Sequence, residues 1–345
     1  MDDQATGKTQ RGRIVNLLRY LLPLLLLGLA AHLLLPQVTS LKRAFQVLRQ
    51  MAFWAVGLAV AMQISSYLGS GYLLRAIVTI VGQRLTVWRG TLVTTASYSF
   101  GLVAGGMIGS AAATYRWLRG GGVNAEGALL AGWLPGFFNT SALVIVSIFG
   151  LLHLLAVHQL ATAQVIGFAL MLFLLSLVVV LGIWGMQHQS VLTALAEKAA
   201  GRWARFRHRS FEPAQTRASM DRAFHAWSLL DQGGWKGPVL GALMNVAFDI
   251  LTLFFVFWAA GHAVRPGVLL VGYGLPLLLG KVPFIPGGVG VVESTMAALY
   301  DGLGVPDPVT LVVILIYRLL SFWIPALVGF PLMAYMQRAS RHSQA

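Results

Sequence analysis

Apolar and polar residues fall along this chain in long blocks, not at the short periods of a soluble helix or strand. Apolar runs cover Ile14–Leu35, Ala52–Leu74, Thr91–Tyr115, Glu126–Ile148, Ala161–Ile183, Pro238–Ala260, Val268–Leu299 and Thr310–Tyr335. A helix needs roughly 20 apolar residues to cross a bilayer core, so each run is long enough to enter a membrane. Six of them predict straight transmembrane helices. Two are interrupted: Thr91–Tyr115 by Gly101, Gly105, Gly106 and Gly109, and Val268–Leu299 by Pro283, Pro286, Gly287, Gly288 and Gly290. Proline removes a backbone donor and glycine weakens a helix. Irregular backbone is tolerated at membrane depth only where protein or a water-filled cavity surrounds it. Both broken runs therefore predict re-entrant helical hairpins. A shorter periodic stretch, Leu41, Phe45 and Leu48, predicts an interfacial helix on the outer side, although Lys42, Arg43 and Arg49 run against the positive-inside rule there.

Composition and charge sharpen this into an all-α polytopic membrane protein. Of 345 residues, 57% are hydrophobic and 10% charged, with mean hydropathy +0.74, against about 25% charged in a soluble domain. The net charge of +14 lies mostly in loops and at helix ends, which suits topology and anionic lipid better than nucleic acid. Lys8, Arg11, Arg13 and Arg19 place the N-terminus in the cytoplasm, and the first run, with no clear cleavage site, reads as a retained span. Residues 187–236 hold Lys198, Arg202, Arg205, Arg207, Arg209, Arg217, Arg222 and Lys236. Leu192, Leu195, Ala199, Trp203 and Phe206 form one helical stripe there, and Met220, Phe224, Trp227 and Leu230 another. Two basic amphipathic helices on the cytoplasmic surface are expected, serving either as a topology anchor or as an anionic-lipid surface. The C-terminal tail, with Arg338 and Arg341, falls on the same side. The chain thus divides into residues 1–50 (first span and interfacial helix), 51–184 (first repeat and a connecting span), 185–237 (basic loop), 238–336 (second repeat) and 337–345 (tail).

A shift of 182 residues lays one broken run over the other. It carries Gly105-Gly106 onto Gly287-Gly288, Gly120 onto Gly302, Gly122 onto Gly304 and Val123 onto Val305, with Met62-Gln63-Ile64 falling on Met244-Asn245-Val246 upstream. Each half is then a span, a hairpin and a span, and charge-derived topology starts the two halves on opposite sides. This predicts an inverted repeat, whose hairpin tips meet near the midplane as at transporter substrate sites.

At Ile285-Pro-Gly-Gly-Val-Gly-Val-Val-Glu293, Gly302-Leu-Gly304 and Tyr317-Arg318-Leu319, the chain resembles the membrane domain of the lysylphosphatidylglycerol synthase/flippase family. Tyr115-Arg116 and the glycines up to Gly122 look like the cognate stretch of the first half. The resemblance runs from about Met51 to Met333. It implies an integral protein of the bacterial cell membrane, related to domains that translocate aminoacylated phospholipid. Bifunctional members carry a soluble C-terminal synthase domain, and this sequence stops soon after its last span, so lysyl transfer from tRNA is not expected. Relatives linked to hopanoid or other isoprenoid lipids leave the substrate open.

Asp249, Glu293 and Arg318 fall near the centres of their apolar segments, where an isolated charge costs about 2.5–3.5 kcal/mol on insertion scales. They must pair or face water. Two arrangements follow: Arg318 holds a lipid phosphate while Glu293 or Asp249 balances it or binds a coupling proton, or Glu293 and Arg318 form an ion pair that fixes the hairpin. Tyr317 adjoins Arg318 and joins the candidate substrate or coupling group. Lys281, placed nearer the outer face, either attracts headgroups or snorkels. Gln63, Asn139 and Asn245 are mid-span amides suited to interhelical hydrogen bonds first and to ligand contacts second. Gly101, Gly105 and Gly109 are expected to form a small-residue packing face first and a substrate contact second. Arg116 and Glu126, flanking the first hairpin's exit, are cytoplasmic gate candidates or solvated helix ends. Enzymatic motifs fail one by one. His153 and His158 have no acidic ligand nearby, no Walker A loop or nucleophile elbow occurs, and Gly288-Val-Gly290-Val-Val-Glu293 lacks the third glycine of a dinucleotide fingerprint. Cysteine is absent. No metal or cofactor is expected. The expected function is a flippase-like lipid translocase, with a lipid-modifying membrane enzyme or an accessory subunit as alternatives. Expected partners are anionic or phosphate-bearing lipids and lipid-synthesis enzymes, not nucleic acid, with a homo-oligomer left open.

Overall fold

The computed structural model describes residues 38–156, 162–206, 233–281 and 286–342, together with residues 217, 221, 224 and 228. The expected first span, His158, Pro283 and most of the second stripe of the basic loop lie outside the described residues. Secondary structure among the described residues is helical throughout. The helices are α1 (Val38–Gln50), α2 (Phe53–Ile80), α3 (Val87–Val103), α4 (Gly106–Gly120), α5 (Ala125–Ala156), α6 (Thr162–Gln187) and α7 (Gln189–Phe206) in the first part. The second part holds α8 (Lys236–Ala259), α9 (Pro266–Leu279), a 3-10 turn (Pro286–Gly288), α10 (Val291–Gly302), α11 (Asp307–Arg318), a π turn (Leu319–Trp323) and α12 (Ile324–His342).

Among the described residues, four segments are long and apolar enough to cross a membrane: α2, α5, α8 and the continuous stretch Asp307–Gln337. The uncharged α6 has 26 residues. The chain is an integral multi-pass membrane protein. Between these long helices stand two hairpins with short arms, 17 and 15 residues in α3 and α4, 14 and 12 in α9 and α10. At 1.5 Å per residue the longest arm rises only about 26 Å, short of a full hydrocarbon core. Each hairpin closes on itself antiparallel. Thr114 donates to Ser97 Oγ at 2.8 Å in the first. In the second, Gly272 leaves room for the ring of Tyr300, which a Cβ would meet at 2.3 Å.

The helices α2 and α8 form the central pair and run antiparallel. Ala52 N–H donates to Ala259 O at 3.0 Å, Ser66 Oγ donates to Asn245 O at 2.9 Å, and Gly241 lies against Leu73. Small residues bring the backbones together, as membrane helix pairs require: a Cβ on Gly69 would stand 2.7 Å from Asn245 N. Because α2 and α8 occupy equivalent places in the two halves, their opposite direction makes the repeat an inverted one. Packing is reciprocal as well. The last long helix of the first half, α5, lies along α9, while α12 of the second half lies along α3. The turns that close the two hairpins also agree. Gly122 and Gly304 both have positive φ (90° and 81°), and Val123 N–H to Leu118 O repeats as Val305 N–H to Tyr300 O.

Two details differ from the sequence expectation. The glycines 101, 105 and 109 do not share one helix face, because the helix ends at Val103 and Gly105 occupies the turn with φ 94°. Gly101 and Gly109 pack inside the hairpin against Ser110 and Ala104. The last membrane-length stretch carries a π turn directly after Arg318, a feature enriched at functional sites. On α1, Phe45 and Leu48 are exposed and Ala44 is buried.

Candidate functional site

The second hairpin turns through backbone that side chains other than glycine adopt at a cost. Gly287, Gly288 and Gly290 have φ of 66°, 64° and 85°. Gly287 is also sterically enclosed: a Cβ there would stand 2.1 Å from the ring of Phe322 and 3.1 Å from Leu102 of α3. The tips of the two hairpins therefore touch. Beyond the turn, Gly290 caps α10, and its N–H donates to Glu293 Oε2 at 2.7 Å. A carboxylate in the first turn of a helix is favoured by the helix dipole. The other carboxylate oxygen of Glu293 accepts from Arg318 Nε at 2.5 Å. Arg318 also donates through Nη2 to Gly287 O at 3.1 Å, and its guanidinium lies 4.3 Å from the Phe322 ring centroid. The guanidinium side chain is 6% exposed and the carboxylate 27%, so the pair is approached from the Glu293 end.

One residue earlier on α11, Tyr317 points to a second cluster. Asp249 Oδ2 accepts from Tyr317 and from Tyr273 of α9, each at 2.9 Å. The Gln63 side chain lies against the Asp249 carboxylate, and among the described residues the buried atoms Asp249 Oδ1 and Gln63 Oε1 lack a hydrogen-bond partner. Tyr67 of α2 donates to Ser321 O at 2.8 Å, tying down a carbonyl of the π turn. Five helices thus contribute to one polar region: α2, α8, α9, α10 and α11. Asp249 lies within a turn of the middle of α8, about where a spanning helix crosses the bilayer centre.

Of the residues singled out from sequence, the structure pairs Glu293 with Arg318 and Asp249 with Tyr317, the two contacts meeting at consecutive residues of α11. Tyr67, Tyr273 and Phe322 were not singled out from sequence, although a tyrosine hydroxyl within an apolar run signals a buried partner. Lys281 sits deeper than its expected place near the outer face, because its Nζ donates to Thr140 Oγ1 at 2.9 Å, and Thr140 is at the middle of α5. Asn245 bridges helices, donating to Ser66 O at 3.0 Å and Ser70 Oγ at 2.7 Å. Arg116 is exposed on α4, about 15 Å along the helix from the hairpin tip, and Glu126 lies in the first turn of α5. In the basic loop, Arg217 pairs with Glu197 of α7.

Residues 17–329 match the family described as the Lysylphosphatidylglycerol synthase TM region. Among curated proteins, a UPF0104 membrane protein of Pyrococcus horikoshii is 33% identical over 81 residues, 24% of each chain. Another, of Methanothermobacter thermautotrophicus, is 30% identical over 87 residues, 25% of this chain and 26% of its own. A third, of Methanocaldococcus jannaschii, is 28% identical over 107 residues, covering 30% and 32%. The chain thus aligns with about a quarter to a third of the length of these relatives. By the breadth of the family match, the chain belongs to the Lysylphosphatidylglycerol synthase TM region family.

Proposed function

We propose that this protein is a flippase-like translocase, moving a phospholipid or isoprenoid-linked lipid between the leaflets of a bacterial inner membrane, with both termini in the cytoplasm. The observation that carries this reading is the convergence of Asp249, Glu293 and Arg318 where two oppositely directed hairpins touch. Charges at that depth are costly and mark transport pathways by default. Inverted repeats with broken helices at their interface support alternating access. Rocking of one half against the other across the α2–α8 pair would expose the polar region to each leaflet in turn. Glu293, the accessible partner of its pair, and the Asp249 carboxylate, once exposed by that motion, would then receive polar headgroup atoms or a coupling proton.

The test uses purified protein in liposomes with fluorescent lipids of several headgroups, scoring transbilayer movement by dithionite quenching. The expected result is headgroup-dependent movement, reduced at least about tenfold in Glu293→Gln, Arg318→Gln and Asp249→Asn proteins that still insert and remain monodisperse. Equal movement by wild type and variants would overturn the midplane site. Absence of movement for every lipid class, alongside lipid-modifying activity or stable capture of a lipid-synthesis enzyme, would favour the enzyme or accessory reading.

A further inference from the structure

The cations at the hairpin tips are not equally engaged. Arg318 is neutralised by Glu293, bonded to Gly287 O and stacked on Phe322. Lys281, on the other side of the same turn, meets a hydroxyl, Thr140 Oγ1, and no carboxylate among the described residues. The two hairpin helices differ in the same way. The N-terminus of α10 carries Glu293 in its first turn. The N-terminus of α4 has no acidic residue and no side-chain cap, and a Cβ on Gly105 or Gly106 would meet nothing within 4 Å.

Packing on α5 brings these two unneutralised elements to one level. A Cβ on Gly132 would meet Ala111 O of α4 at 3.1 Å, and one on Gly136 would meet Met107 Cε at 3.5 Å. The helices run antiparallel, so the next turn of α5, which carries Thr140, lies toward the N-terminal end of α4. Gly132, Gly136 and Thr140 stand four residues apart on one face of α5. Lys281 reaches Thr140 along the same register that sets Gly274 against Ser147 and Gly267 against Leu154. Asn139, the preceding residue, keeps a buried carboxamide oxygen without a partner among the described residues, an acceptor of the kind a headgroup hydroxyl meets.

We propose that Lys281, Thr140 and the N-terminal amides of α4 form an anion site that takes the phosphate of a lipid headgroup. A lysine at membrane depth without a carboxylate needs a negative partner, and a helix N-terminus offers N–H groups aligned with a favourable dipole. The site shares no residue with the Glu293–Arg318 pair. It depends on the translocase reading only for its use in transport, because binding is measured without movement.

The experiment measures binding of fluorescent phosphatidylglycerol and phosphatidylcholine to the detergent-purified chain, with inorganic phosphate as competitor. Wild type is expected to prefer the anionic lipid. Lys281→Met should weaken that binding at least about tenfold, and Lys281→Arg should restore it to within about threefold. Ile108→Glu, at a position 82% exposed, gives α4 the first-turn carboxylate that α10 already has and should weaken binding similarly. Displacement by phosphate would show that the bare anion suffices, and resistance to it that the headgroup must come attached to its lipid; either supports the site. Unchanged anionic-lipid binding in both Lys281→Met and Ile108→Glu would overturn it, as would failure of arginine to restore binding in a protein of wild-type melting temperature. Wild type that binds but moves no lipid would leave the site standing and remove the translocase. Movement with binding indifferent to Lys281 would do the reverse.

Discussion

At Gly105–Gly106 and at Gly287–Gly288 the chain makes the same reversal with left-handed glycines, between arms of similar length, and leaves each hairpin through the same closing turn. Around those shared backbones the side chains diverge. Shifted back by 182 residues, Asp249, Tyr273, Glu293, Tyr317 and Arg318 fall on Tyr67, Thr91, Ala111, Pro135 and Gly136. The first half has neutral residues at every position where the second carries the polar region. Its turn is also open: Val103, Met107 and Ile108 are 53%, 63% and 82% exposed, whereas Gly287 is wedged against Phe322. The repeat preserves what packing demands, namely the breaks and the helix ends. Charge is free to collect on one side, and a site between unlike halves has a direction that a symmetric one lacks.

The strongest way to break that contrast is to remove Arg318. Arg318→Met leaves Glu293 without its partner beside a buried turn, and losing one member of a buried pair costs about 3–5 kcal/mol. Thermal unfolding in detergent should show the largest loss of any variant considered for the hairpins. Adding Glu293→Gln should recover part of it; a double variant no better than the single would mean that the pair does not hold the second hairpin. Gly287→Ala comes next. A side chain at φ 66° costs about 1–2 kcal/mol, and forcing the new methyl against the Phe322 ring adds roughly 1–3 kcal/mol of overpacking. Phe322→Ala in the same chain should return the steric part, read as a partial rise in melting temperature.

Much of this architecture is legible in the sequence, for identifiable reasons. Apolar runs report burial in lipid directly, so the long helices and both breaks were marked. Their ends were not. The second run was expected to stop at Leu74, yet α2 continues past Arg75 to Ile80, because a helix ends where hydrogen bonding does, here at Gly82 with φ 71°, and a charge alone does not interrupt it. The Glu293–Arg318 pair was readable as one of two arrangements from membrane depth alone. Tyr273 and Tyr67 were not, since their roles depend on which helices become neighbours. Lys281 was misplaced for a related reason: position within an apolar run gives depth for a straight span, and a hairpin that turns back carries its tip residues to the middle.

The smallest effect tests the comparison most finely. Gly105 has φ 94°, as foreign to other residues as the turn at Gly287, but a Cβ there meets nothing within 4 Å. Gly105→Ala should therefore cost only the conformational term, about 1–2 kcal/mol, and lower the melting temperature less than Gly287→Ala. Asparagine separates the two contributions, because its short polar side chain visits the left-handed region more readily than alanine does. Gly105→Asn should recover most of the loss, while Gly287→Asn should do no better than Gly287→Ala, since the ring of Phe322 blocks any side chain. Equal losses for alanine at the two glycines would make the hairpins alike in packing as well as in backbone. The directional difference between the halves would then rest on charge alone.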